Sequence, residues 1–141
     1  MKQFLLTLIT FIMAVSVYAQ DAGNNITGIW LNEERSAKIE ISKDGDSYSG
    51  KIIWLAEETE KNGKPLVDKK NPDPKKRTQP ILGLNILSGL EYSDDEWRGT
   101  IYAPKAGQFA DCSIKLKGMD KMQIKVSKGF FSKTKIWTRV K

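Results

Sequence analysis

Histidine is absent from all 141 residues, and Cys112 is the only cysteine. The first absence removes imidazole acid–base chemistry, Ser-His-Asp triads and the commonest transition-metal ligand together. The second removes any internal disulfide, even in an oxidising compartment. Cys112 alternates with Ile114 and Leu116, so it reads as a small buried hydrophobe and not as a reactive thiol. Also missing are a helical period, an internal repeat, a low-complexity tract and a second domain. Chemistry would have to fall to Asp, Glu, Lys or Tyr, and no spacing nominates a catalytic pair among them. The chain is therefore expected to carry no enzyme activity, no metal and no cofactor.

Charge is the next constraint. Lys and Arg exceed Asp and Glu, giving a formal net charge of +6 and a pI of about 9.4. The lysines are scattered along alternating segments instead of packed into one run, the pattern of a solvated outer face. Without aromatics interleaved on that face, a nucleic-acid partner is not expected. The one long apolar run, Phe4 to Val17, follows the positive start Met1-Lys2 and precedes Val17-Tyr18-Ala19. Such an arrangement marks a secretory signal cut after Ala19, and the run is short of the ~20 residues of a membrane span. Residues 1–19 are thus expected to be removed. Residues 20–141 then form one exported domain, periplasmic or secreted, with no integral membrane segment.

From Thr27 onward the apolar period is two. Ala37, Ile39 and Ile41 alternate with Lys38, Glu40 and Ser42, and a hairpin signal follows at Asp44-Gly45. Tyr48, Gly50, Ile52 and Trp54 then share one face by the same alternation. Further alternating runs lie at 97–103, 110–117, 121–127 and 134–140, separated by short turns. Residues 81–90 fit either a kinked strand or a short helical turn. About eight strands joined mostly by tight turns mark an all-β antiparallel meander, either barrel or sandwich; an up-and-down barrel is expected, since eight strands suffice to close and closure removes exposed sheet edges. The rhythm breaks once, at about 57–80. Four prolines there (Pro65, Pro72, Pro74, Pro80) exclude an internal strand or long helix. Leu66 and Val67 give this segment something to pack with, so it is expected to be an ordered flap.

Thr27-Gly28-Ile29-Trp30 resembles the opening strand of the calycins, the lipocalin and avidin-like barrels, and Trp137-Thr138-Arg139 resembles their closing strand. Asn32 and Ser36 add a likeness to avidin. Gly50-Lys51-Ile52 with Trp54, Gly63-Lys64-Pro65-Leu66 with Asp68, and Asn71-Pro72-Asp73-Pro74 with Arg77 extend the pattern. So do Pro80 to Gly83 with Ile86-Leu87, Trp97 before Gly99, Ile101-Tyr102 with Pro104, and Gly107. With these motifs in order, the chain from Thr27 resembles a family of small exported bacterial proteins, the domain of unknown function 2147. The resemblance implies a lipocalin-like barrel and no established activity. One departure is Ala103, where the family pattern usually has an aspartate between Tyr102 and Pro104. Another is the usual aromatic after Gly107, represented here by Phe109 with Ala110-Asp111 following.

Two groups of residues stand out. Gly28, Trp30, Trp137 and Arg139 are expected to close the barrel, with the guanidinium stacked on an indole. Trp54, Asp68, Asn71, Arg77, Trp97 and Tyr102 are the candidate ligand-binding residues, combining aromatic walls with polar groups on a proline-stiffened loop. For Asp68 and Asn71 the alternative is satisfaction of the loop's own backbone. Arg77 has its own alternative, an ion pair with Asp73. The leading expectation is a small, partly apolar ligand held in the barrel with the 57–80 loop over its mouth. The rival is an envelope protein-interaction module or inhibitor acting through surface loops, including Phe130-Phe131. An interior packed solid with side chains would sink the first and is what the second predicts.

Overall fold

A computed structural model describes residues 22–141; the signal segment expected at 1–19 lies outside them. A short 3-10 turn, Asn24–Ile26, leads into eight strands. They are β1 (Gly28–Leu31), β2 (Ala37–Asp44), β3 (Ser47–Leu55), β4 (Asn85–Ser93), β5 (Glu96–Ala103), β6 (Gln108–Leu116), β7 (Lys121–Lys128) and β8 (Phe131–Arg139). Each pairs antiparallel with its neighbour in sequence, and β8 returns to β1, so the sheet is a closed up-and-down barrel. Among the described residues, no helix is long and apolar enough to cross a membrane.

Alternation puts one apolar face of every strand inside. Trp30, Ile39, Leu87, Ile114, Met122 and Ile124 have essentially no exposure, and together with Tyr48, Ile52, Trp97, Cys112 and Trp137 they form one core cluster. An eight-stranded barrel is just wide enough to be filled by its own side chains, and this one is filled. A ligand in the lumen would have to displace that core, so the expectation of a binding site along the barrel axis gives way to one outside the lumen.

The two ends differ. At one, Gly23 to Ile26 cross the opening as a plug. Trp97 donates its indole N–H to the Gly23 carbonyl at 3.0 Å, Tyr48 its hydroxyl to Asn24 Oδ1 at 2.7 Å, and Trp30 its indole N–H to the Ile26 carbonyl at 2.9 Å. At the other lie the β1–β2 turn, the β5–β6 turn, the β7–β8 hairpin tip and the long β3–β4 connection, residues 56–84. Residues 81–84 belong to that connection, and β4 begins only at Asn85. Gly89, at φ +60, lies in the β4 irregularity between Ser88 and Glu91.

One local register change redirects a candidate. Lys38 pairs with Trp54 but Ile39 pairs with Ile52, so Ile53 is an extra residue in β3. A bulge inverts the in–out alternation beyond it. Leu55 therefore packs against the core, while Trp54 turns outward to 37% exposure with the Lys38 ammonium 4.9 Å from its ring centre.

Candidate functional site

The 56–84 flap is built of its own hydrogen bonds. Small bridges join Thr59 to Pro65 and Val67 to Pro80. Asp68 N–H donates to the Gln79 carbonyl at 2.9 Å, and Ile81 N–H to the Leu66 carbonyl at 3.0 Å. Pro74 opens a 3-10 turn capped by Asp73, whose side chain accepts from the Lys75 amide; proline fits the first position because it has no N–H to lose. Two exchanges with Ile52 fasten the flap to β3: Ile52 N–H donates to Leu84 O at 2.9 Å, and Gly83 N–H to Ile52 O at 2.7 Å.

At the centre of the flap is a buried carboxylate. Asp68, 1% exposed, accepts the Tyr102 hydroxyl on Oδ1 at 2.7 Å and the Asn71 amide on Oδ2 at 2.7 Å. A longer contact from the Gln79 amide, at 3.5 Å, reaches Oδ2. Charge-assisted donors around both oxygens offset the desolvation of the carboxylate. Burial pushes the Tyr102 hydroxyl up to about 12, with the Asp68 hydrogen bond and charge acting in the same direction. Tyr102 comes from β5, so this hydrogen bond ties the flap to the barrel wall. A second clasp lies close by: Lys70 donates its ammonium to the Lys105 carbonyl at 2.9 Å. Gly107, at φ +63, leaves so little room that a Cβ there would stand 2.1 Å from the Lys70 carbonyl oxygen.

Beside the clasp runs an open groove of about 480 Å³. Tyr102 and Phe109 form one wall, their ring centres 4.7 Å apart. Leu82 and Leu84 add apolar surface, Gln79 and Asn71 polar surface, and Lys76 a cation. Leu82 and Phe109 are about half exposed there, at 48% and 51%.

The structure thus brings Asn71 and Tyr102 to the groove and sets Asp68 behind them, where its bonds orient both. Arg77 faces elsewhere: its Nε donates to the Asn71 carbonyl at 2.8 Å, holding the flap's own backbone and not the alternative Asp73 pair. Trp97 is at the plugged end, tilted against Tyr92 with ring centres 4.7 Å apart. Trp54 is outside the barrel because of the bulge in β3. Gln79, Leu82 and Phe109 escaped the sequence reading as site residues, although Phe109 had been matched to a family aromatic. Nothing in a single sequence says that residues 79 and 109 meet.

The closing residues assemble as a unit. β1 and β8 share only two register pairs, Trp30 with Arg139 and Leu31 with Thr138. The Arg139 guanidinium lies 4.3 Å from the Trp30 ring centre and donates at 2.7 Å to three carbonyls, those of Asn25, Thr27 and Met119. Gly28, at φ +129, clears its path; a Cβ would come within 2.7 Å of the guanidinium. Trp137 is buried on the same face of β8, and its indole N–H has no partner among the described residues. Asn32 and Ser36, the avidin-like pair, hold the β1–β2 turn: Asn32 Oδ1 accepts from the Ser36 and Ala37 amides at 2.8 and 3.1 Å.

Protein HP1028 of the human pathogen Helicobacter pylori, described as belonging to the lipocalin family, has a similar structure. The TM-score is 0.72 at 21% identity, covering 82% of this chain and 83% of that one. At that identity the likeness is one of fold, and it fits the closed eight-stranded barrel. No curated protein matches the chain. Residues 28–139, from the glycine that admits Arg139 to Arg139 itself, match the model of one bacterial family. The chain belongs to that family, described as uncharacterized protein conserved in bacteria (DUF2147).

Proposed function

We propose that this protein is an exported barrel that binds a small, partly apolar molecule at its flap end, in the groove between Tyr102, Phe109 and Leu82. The observation that carries the reading is the pairing of an apolar wall with a cation on a scaffold that is locked from behind. Asp68 fixes Tyr102 and Asn71, while Lys76 and the half-exposed Leu82 and Phe109 line the groove on the outer face of β5 and β6. Ligand sites are mostly apolar with a few placed polar groups, and a ligand with an anionic or acceptor group suits Lys76. Export is taken from the character of residues 1–19. The reading includes no catalytic step, since the Tyr102 hydroxyl is held as a neutral donor to Asp68.

The test uses 1-anilinonaphthalene-8-sulfonate, an aromatic anion, as the probe. Titrated against the folded protein, it should bind with increased fluorescence, and Leu82→Asp or Lys76→Glu should weaken that binding several-fold. Absence of binding, or binding indifferent to both substitutions, overturns the reading. Native mass spectrometry of freshly purified protein gives a second readout, a co-purified mass lost in Leu82→Asp. The filled interior and the fully exposed Phe130 favour a second reading, in which the protein acts through its surface.

A further inference from the structure

The β7–β8 hairpin has an unusual composition for a hairpin tip. Gly129 and Phe130 form a two-residue turn in which Gly129 has φ +59, the left-handed first position of a type II′ turn. The turn pushes Phe130 wholly into solvent, at 111% of its reference exposure, and leaves Phe131 at 65%. Lys128 pairs directly with Phe131, and Val126 with Lys133. Because side chains alternate along each strand, Val126, Lys128, Phe131 and Lys133 share one face. All six charged residues from Lys121 to Arg139 are basic: Lys121, Lys125, Lys128, Lys133, Lys135 and Arg139. The neighbouring acids, Glu33 and Glu34 of the β1–β2 turn, are engaged by the Ile136 amide and by Lys135.

We propose that this tip docks the barrel, flap end first, on an anionic lipid bilayer. Two phenylalanines projecting from a convex turn can enter the boundary between headgroups and acyl chains, while the lysines around them meet acidic headgroups. A protein partner fits less well. A phenylalanine contributes about 150–250 Å², so the pair falls short of the ~800 Å² per side of a stable interface. Burial in a bilayer needs no complementary surface. The rest of the rim agrees, because the exposed Leu82 and Phe109 lie at the same end of the barrel. The docking stands on the hairpin alone and is independent of any ligand in the groove.

Sedimentation of the full mature chain with vesicles tests it. Vesicles of phosphatidylcholine alone are compared with vesicles containing a third phosphatidylglycerol, at low and at high salt. The protein should pellet with the anionic vesicles only, and less at high salt. Phe130→Ser with Phe131→Ser should abolish pelleting. Lys128→Gln with Lys133→Gln should weaken it about thirtyfold, from two lost surface lysines. All four positions are exposed, and an unchanged circular-dichroism spectrum confirms that each variant is folded. Failure of the native chain to pellet with anionic vesicles overturns the proposal. So does equal pelleting with neutral vesicles, or full retention by the double phenylalanine variant. Probe binding in the groove should be unchanged in both hairpin variants, which separates this result from the ligand reading.

Discussion

Truncating Trp30 to alanine tests how the barrel is held shut. The indole has no exposure, donates to the Ile26 carbonyl at 2.9 Å and carries Arg139 on its face at 4.3 Å. Loss of a buried Trp side chain costs about 3–5 kcal/mol in transfer and cavity terms. An orphaned buried carbonyl adds roughly 1 kcal/mol, and the lost cation–π contact about 0.5–1 kcal/mol at this half-buried position. These contributions overlap, so the expected total is the upper part of the first range, about 4–5 kcal/mol. Set against a typical domain stability of about 5–15 kcal/mol, that is roughly a third of the total or more. Trp30→Phe, which keeps a ring under the guanidinium but loses the N–H, should cost about 1–2 kcal/mol. Urea unfolding followed by far-ultraviolet circular dichroism reads each value. A double-mutant cycle with Arg139→Met should return a coupling of about 0.5–1 kcal/mol. A loss under about 1 kcal/mol for Trp30→Ala would refute the closing role. Zero coupling to Arg139 would refute the part assigned to the stack.

Two further predictions concern the flap. Below pH 10, Tyr102 is protonated in both the folded and the unfolded chain, and the stabilisation from its buried neutral hydroxyl is fully present. As pH rises from 10 toward 12, the unfolded chain ionises first, so that stabilisation is lost. The stability difference between the native chain and Tyr102→Phe should therefore shrink by about 1 kcal/mol between pH 9 and pH 11, measured by urea unfolding at each pH; a difference that is flat or grows refutes the assignment. Gly107→Ala places a Cβ 2.1 Å from the Lys70 carbonyl oxygen in a left-handed backbone. It should cost at least about 1–2 kcal/mol and speed hydrogen exchange at the Asp68 and Ile81 amides, while unchanged protection there would show that the β5–β6 turn does not brace the flap.

The barrel was legible because a period of two survives in β2, β6 and β7. Ile39 and Ile41, or Ile114 and Cys112, declare their face without any knowledge of a partner. Trp54 was misplaced for the opposite reason: one extra residue, Ile53, inverts the alternation, and nothing in Ile52-Ile53-Trp54 distinguishes a bulge from a regular strand. The plug was invisible too. Asn24, Asn25 and Ile26 look like a polar lead-in, and their importance lies in carbonyls that Arg139 and Trp30 find from far along the chain or from the next strand. In the flap, proline count and the Leu66-Val67 pair implied order. The contact that produces it, Asp68 to Tyr102, spans 34 residues with no periodic signal. Asp68 reads as a binding group because polar side chains on a loop held by a rigid scaffold commonly bind; here it is buried, with Tyr102 and Asn71 as its partners.

The consequence is a division between the barrel's ends. At the plugged end all three donating nitrogens of Arg139 meet carbonyls, and the Trp97 and Trp30 indoles meet two more. A ligand there would have to break the bonds that close the sheet, where β1 and β8 share only two pairs. The core blocks the axis as well, since emptying it would remove the apolar burial on which a small single-domain barrel depends. Only the flap end combines a clasp on the outer barrel wall, half-exposed apolar side chains, and cations outside any ion pair. Lys76, Lys128 and Lys133 are in that position among the described residues, and none takes part in an ion pair there. On the proposed reading, substitutions there should change binding while leaving the closure intact. Binding should therefore respond to Leu82, Lys76 and the Phe130-Phe131 tip, and stability to Trp30 and Arg139, with little crossover between the two sets.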